Sequence, residues 1–173
     1  MNVNFLISLV FLIQFQAFCQ KEKGSDPIVF EIKNAGITVE GTISDWEYEI
    51  SFDPKRLDES SIKGVAYPVS MDTGIKLRDK HLQGRQYFHV DKFPEILITS
   101  KKITTKGKGS YMGVFDLTIK EVKKEIEIPF MLTSKGNTKK LIGDFTINRL
   151  DYGIGESSIV LGDEVKVKVN INF

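Results

Sequence analysis

Apolar and polar side chains alternate with period two along most of this chain, the pattern of strands with one dry and one wet face. In WEYEISFD, Trp46, Tyr48, Ile50 and Phe52 share one face, and Glu47, Glu49, Ser51 and Asp53 share the other. VKVKVNINF repeats the pattern, with Val165, Val167, Val169, Ile171 and Phe173 set against Lys166, Lys168, Asn170 and Asn172. VFDLTIK does so again with Phe115, Leu117 and Ile119. Weaker runs over 28–33, 36–44, 61–70, 95–103, 124–133 and 140–150 bring the expected total to eight or nine strands.

Turn chemistry separates the runs: Lys-Gly-Lys-Gly at 106–109, Lys-Gly-Asn at 135–137 and Leu-Gly-Asp at 161–163. One wet face per strand and short connections point to an antiparallel sheet. With so many strands, closure removes the edges that invite aggregation. Residues 75–86 form the one helical candidate, with Ile75, Leu82 and Leu77 expected to face inward. The predicted fold is all-β: an antiparallel barrel of about eight strands with one short helical insertion. No repeat, linker or domain boundary interrupts it.

The first twenty residues stand apart. MNVNFLISLVFLIQFQAFCQ carries no charged side chain, and its apolar run from Phe5 to Ile13 is too short to span a bilayer. A secretory signal peptide over 1–19 is expected, with Ala17 and Cys19 as the small residues before cleavage, leaving one domain over 20–173. Lipidation at Cys19 is the competing reading, and the bulky Phe18 argues against it. After cleavage no cysteine remains, so hydrophobic packing alone must hold an exported protein together. The net charge is +1 with both signs interspersed, which leaves no electrostatic footprint for nucleic acid and at most a transient membrane contact. The sequence leaves the oligomeric state open, a dimer included.

A barrel of this size is either filled by its own side chains or holds one slender ligand. Residues 20–173 include eight Phe, five Tyr and one Trp, enough to line such an interior or to fill it. Ten buried chain carbons at about 0.8 kcal/mol each would contribute about 8 kcal/mol gross, against association costs of at least about 4 kcal/mol. Tight binding therefore requires a long chain or a gripped polar head.

Catalytic chemistry is sparse. His81 and His89 are the two histidines; their spacing suits no common zinc pattern, and no cysteine pair accompanies them. KGKGS at 106–110 lacks the spacing of a phosphate loop and lies between two strands. Asp79 and His81 stand two apart on the predicted helix, where side chains diverge, so they make a poor catalytic dyad. No metal and no cofactor is expected.

Four stretches in order resemble the YceI-like family. VEGTISDWEYEISFDPKRLDESSI (39–62) fits its opening strands. SMDTGIKLRDKHLQGRQYFHVDKFPEILITSKKI (70–103) carries the TG, RD-x-HL, aromatic pair and proline of its signature. LTIKEVKKEIEIPF (117–130) and INRLDYGIGESSIVLGDEVKVKV (147–169) resemble its closing segments. The resemblance covers about residues 28–173. It implies a lipocalin-like barrel, exported and non-catalytic, that holds a polyisoprenoid or other long-chain lipid in an apolar tunnel. Glu121 stands where the family usually has glycine, and Asn34 where many members have histidine.

With that implication, the candidate ligand-facing residues are Trp46, Tyr48, Phe52, Phe88, Phe93, Phe115, Leu117, Phe145, Ile147 and Tyr152, each of which would either line a tunnel or pack the core. Arg78, Asp79, His81 and Arg149 form the candidate polar cluster. We read it first as a structural corner in which Asp79 pairs with Arg149, second as a grip on a ligand head, and last as an active site.

Overall fold

The computed structural model describes residues 21–136 and 138–173, so the expected leader, Met1–Cys19, lies outside the described residues. The strands are β1 (Glu22–Lys23), β2 (Ile28–Asn34), β3 (Ile37–Ile43), β4 (Trp46–Ser51), β5 (Ser61–Ala66), β6 (Met71–Asp72), β7 (Ile96–Gly107), β8 (Ser110–Ile119), β9 (Val122–Lys135), β10 (Thr138–Asn148) and β11 (Leu161–Asn172). The helix α1 (Lys76–Gln83) follows β6. All strands join one sheet in the order β1-β4-β5-β7-β8-β9-β10-β11-β2-β3-β6, and every pairing is antiparallel.

Among the described residues the sheet has eleven strands, not about eight. Nine are the alternating runs; β1 and β6, two residues each, are too short for a period to register. The sheet curls into a lipocalin-like half-barrel whose edges are these two pieces, and such short edges expose few unpaired backbone groups. Register shifts between Ser100 and Lys102 and between Leu161 and Val165 mark the bulges that help it curl. Leu161–Asp163, expected as a turn, instead opens β11, with Gly162 and Asp163 inside the second register shift.

Side chains hold the seam. The Trp46 indole donates to the carbonyl of Asp26 at 2.8 Å, and the amide of Asp45 donates to Ser70 Oγ at 2.9 Å. The Tyr48 hydroxyl lies 3.0 Å from both Glu22 Oε2 and the carbonyl of Asn172, its one proton serving either. That contact ties β4 to the far end of β11. The turn at Glu121 is built without glycine: Lys120 takes φ 58° and its ammonium donates to the carbonyl of Gly153 at 2.7 Å.

The helix is shorter than expected and faces differently. Ile75 and Leu77 are 53% and 70% exposed, and of the three residues expected inward only Leu82 reaches the interior. Ile75 precedes the first helical turn in extended backbone, which breaks the spacing that would have aligned it with Leu82.

Candidate functional site

Inward faces of the strands do not meet; they enclose an apolar cavity of about 250 Å³. Ile28, Phe30 and Ile32 of β2, Phe115 and Leu117 of β8, and Val165, Val167 and Val169 of β11 illustrate the wall. Close approach lets large rings lie flat along it. A Cβ on Gly41, directly across from Phe30, would sit 2.3 Å from that ring.

One end of the cavity is stoppered by aromatics. Tyr111 and Phe130 stack at 5.4 Å, and Phe52 meets them edge-on at 5.0 and 6.1 Å. Of the three, only Phe130 reaches the cavity wall, so Phe52 packs behind it and does not line the space.

Four polar wall residues gather at the other end, while Lys63 of β5, paired with Glu49, borders the wall between the ends. Asn34 closes β2, Arg149 follows β10, and Thr73 and Arg78 come from the β6–α1 segment. Asn34 pairs with Leu161, and Asn148 pairs with Glu164, so both belong to the end of the sheet opposite the stopper.

The two arginines are held in different ways. Arg149 is 2% exposed, yet every one of its nitrogens has an acceptor. Nε donates to the carbonyl of Gly162 at 2.9 Å and Nη1 to that of Ile154 at 2.8 Å. Nη2 donates to the carbonyl of Glu156 and to Asp163 Oδ1, each at 2.8 Å, with Leu161 O at 3.4 Å. Local sequence builds this cage. Asn148 Oδ1 caps a short 3-10 turn over Arg149–Tyr152, and Gly153 takes the left-handed φ of 61° that turns the chain back around the guanidinium. A Cβ on Gly155, itself at φ 66°, would stand 3.1 Å from Nη1.

Arg78 is anchored through one residue. Nε donates to Thr73 Oγ1 at 2.7 Å and Nη2 to the Thr73 carbonyl at 2.6 Å. Thr73 is fixed in turn by Asp79, whose Oδ1 accepts from its amide at 2.9 Å and from its hydroxyl at 2.5 Å. The expected Asp79–Arg149 pair is therefore absent, because Asp79 is spent on Thr73 and Arg149 takes its carboxylate from Asp163. His81 stands exposed on α1, outside the cavity.

Seven of the ten expected residues line the cavity: Trp46, Tyr48, Phe88, Phe115, Leu117, Phe145 and Ile147. Besides Phe52, two others do not. Phe93 packs edge-on against His89 at 5.7 Å with Lys92 over its ring at 4.6 Å. Tyr152 is 1% exposed in a second cluster with Leu117, Ile119 and Ile154. Its hydroxyl finds no hydrogen-bond partner among the described residues, and burial, reinforced by Asp151, raises its pKa. The β2 and β11 aliphatics are the wall residues missing from the expectation, although the β11 alternation pointed to them. Among the described residues, no group of three or more His, Cys, Asp and Glu side chains is placed to hold a metal.

A curled antiparallel sheet around an apolar cavity with one polar end defines a lipocalin-like barrel. The YceI-like domain model matches residues 21–173, and the chain belongs to that family. A UPF0312 protein of Yersinia enterocolitica is 32% identical over 111 residues, 64% of this chain. One of Yersinia pestis matches to the same extent; the chain spans 57% of the length of these curated relatives. Among solved structures, Burkholderia cenocepacia BcnA superposes with a TM-score of 0.82 at 22% identity, covering 85% of this chain and 95% of that one. The Campylobacter jejuni YCEI protein gives 0.71 at 25% identity, covering 78% and 84%. A polyisoprenoid-binding domain from Saccharophagus degradans, implicated in plant cell wall breakdown, gives 0.69 at 14% identity, covering 88% and 95%.

Proposed function

We propose that the protein binds one slender apolar chain, an isoprenoid or an acyl chain, in the barrel and carries it chemically unchanged. The observation that carries this reading is the cavity of about 250 Å³, walled by inward-facing aliphatic and aromatic side chains. A dry pocket of about 150 Å³ accepts the six carbons of benzene, so this one encloses about ten chain carbons. At about 0.8 kcal/mol per CH₂ their burial contributes about 8 kcal/mol gross, of which association removes at least about 4 kcal/mol. A bare ten-carbon chain is thus held weakly. A physiological ligand adds either further carbons at the polar end or a gripped head.

The fold shared with a polyisoprenoid-binding domain supports the isoprenoid version. Export belongs to the reading as well, supported by the uncharged apolar run ahead of residue 20. Shielding the chain from water needs no chemical step, and the reading assigns none to His81.

The test is a panel of prenyl and acyl compounds of six to twenty carbons, scored by the rise in melting temperature. The reading predicts a rise that is slight near ten carbons and grows as further carbons are added. No rise for any chain would sink it and favour a barrel that acts through its outer surface.

A further inference from the structure

We propose that the cavity is built for an amphiphile with an anionic head, a carboxylate or a phosphate monoester, and that Arg78 supplies the counter-charge. This rests on the carrier reading and narrows it: neutral heads such as quinones and alcohols become the poorer ligands.

The argument begins from the donors of two guanidiniums. Each arginine carries five N–H groups and no acceptor. Arg149 serves four carbonyls and one carboxylate, so its charge is settled by the protein itself. Arg78 serves only the hydroxyl and the carbonyl of Thr73. Its Nη1 makes no hydrogen bond among the described residues, and no carboxylate of these residues lies within salt-bridge distance of it. Nearby Asp79 makes no hydrogen bond or ion pair with it; its Oδ1 accepts from Thr73 instead.

The same contacts hold the residue at the edge of the cavity. Lys76, Lys80 and His81, on the same helix, extend into solvent, as Arg78 would if it were free. Instead two short hydrogen bonds, of 2.7 and 2.6 Å, hold it against Thr73, and both residues line the cavity. Asp79 braces Thr73, so the guanidinium is fixed before any ligand arrives, and less freedom is lost on binding. Asn34 lines the same end, and its side chain makes no hydrogen bond among the described residues, leaving an amide to donate to a second head oxygen. Arg78 is half-buried, so water reaches its spare N–H groups until an acid head replaces that water with a charge-assisted hydrogen bond.

The experiment compares dodecanoate, dodecyl phosphate and dodecanol by calorimetric titration against the wild type, Arg78→Met and Arg78→Lys. Both acids should bind the wild type about tenfold or more tighter than the alcohol, as charge-assisted hydrogen bonds do relative to neutral ones. Arg78→Met, which keeps an apolar stem, should bring all three within about threefold of each other, and Arg78→Lys should keep part of the preference. Carboxylate against phosphate in the wild type decides which oxyacid fits. Equal binding of acid and alcohol by the wild type would overturn the anionic head and leave the carrier reading standing. An acid preference that survives in a folded Arg78→Met would overturn the role of Arg78. Failure of all three chains would overturn the carrier reading itself.

Discussion

Replacing Gly143 by leucine should obstruct the cavity without disturbing the fold. Gly143 lies mid-strand in β10, is buried, and lines the cavity. An added Cβ would meet Ile128 Cγ2 at 3.6 Å and Phe130 Cβ at 3.7 Å, both ordinary contacts. The rest of a leucine side chain then extends over the open space. At about 25 Å³ per carbon, the spacing implied by benzene in a dry cavity, four carbons occupy about 100 Å³. That is a large part of a cavity of about 250 Å³. The ligand loses burial for about four chain carbons, about 3 kcal/mol, or about a hundredfold in affinity. Gly143→Ala removes one carbon's worth and should cost about fourfold. Stability should hold or rise in both, since glycine inside a strand weakens it and the new atoms bury against an existing wall. The assay is displacement of a fluorescent acyl or prenyl probe, alongside a thermal melt and near-ultraviolet circular dichroism. If Gly143→Leu melts like the wild type and binds the probe within twofold of it, the chain does not sit where we place it.

Three further outcomes follow from the same geometry. Arg149→Met strips the cage of its cation, leaving the buried Ile154 carbonyl and the part-buried Gly162 carbonyl and Asp163 without their donor, so the denaturation midpoint should drop by the equivalent of about 2–4 kcal/mol; a loss below about 1 kcal/mol would contradict the structural role. Burial, then the bond to Glu22, pushes the Tyr48 phenol up from 10.0 to about 12. Between those values the unfolded chain loses a proton that the folded chain keeps, so the stability present below pH 10 falls toward pH 12, by at most about 3 kcal/mol. Stability measured across that range should fall less steeply in Tyr48→Phe, and an unchanged slope would refute the assignment. Trp46, the single tryptophan, is 3% exposed and lines the cavity, so its emission should be blue-shifted and should change on ligand addition; emission blind to a bound chain would place that chain elsewhere.

The strands were legible because alternation is local: Trp46, Tyr48, Phe115 and Leu117 point inward as their runs require. The same rule placed Phe52 inward, and it is buried, but period two cannot distinguish a ring facing empty space from one packed edge-on behind Phe130. Nor could it exclude Tyr152, whose position depends on a 3-10 turn. The polar cluster was readable as a cluster but not as pairs. Asp79 and Arg149 each found nearer partners, in Thr73 and in the returning 154–163 segment, and that return depends on the backbone of Gly153 and Gly155. Ile75 and Leu77 were misjudged because a two-turn helix gives too short a window for a period to decide its buried face.

The claim at the centre is that this barrel carries an apolar chain. The measurement that tests it most directly is organic extraction and mass spectrometry of the protein, purified without detergent from its native host. The account predicts one long-chain compound in near-stoichiometric amount, bearing a carboxylate or phosphate head. An extract free of any such chain, from protein whose melting temperature no added prenyl or acyl chain raises, would contradict it.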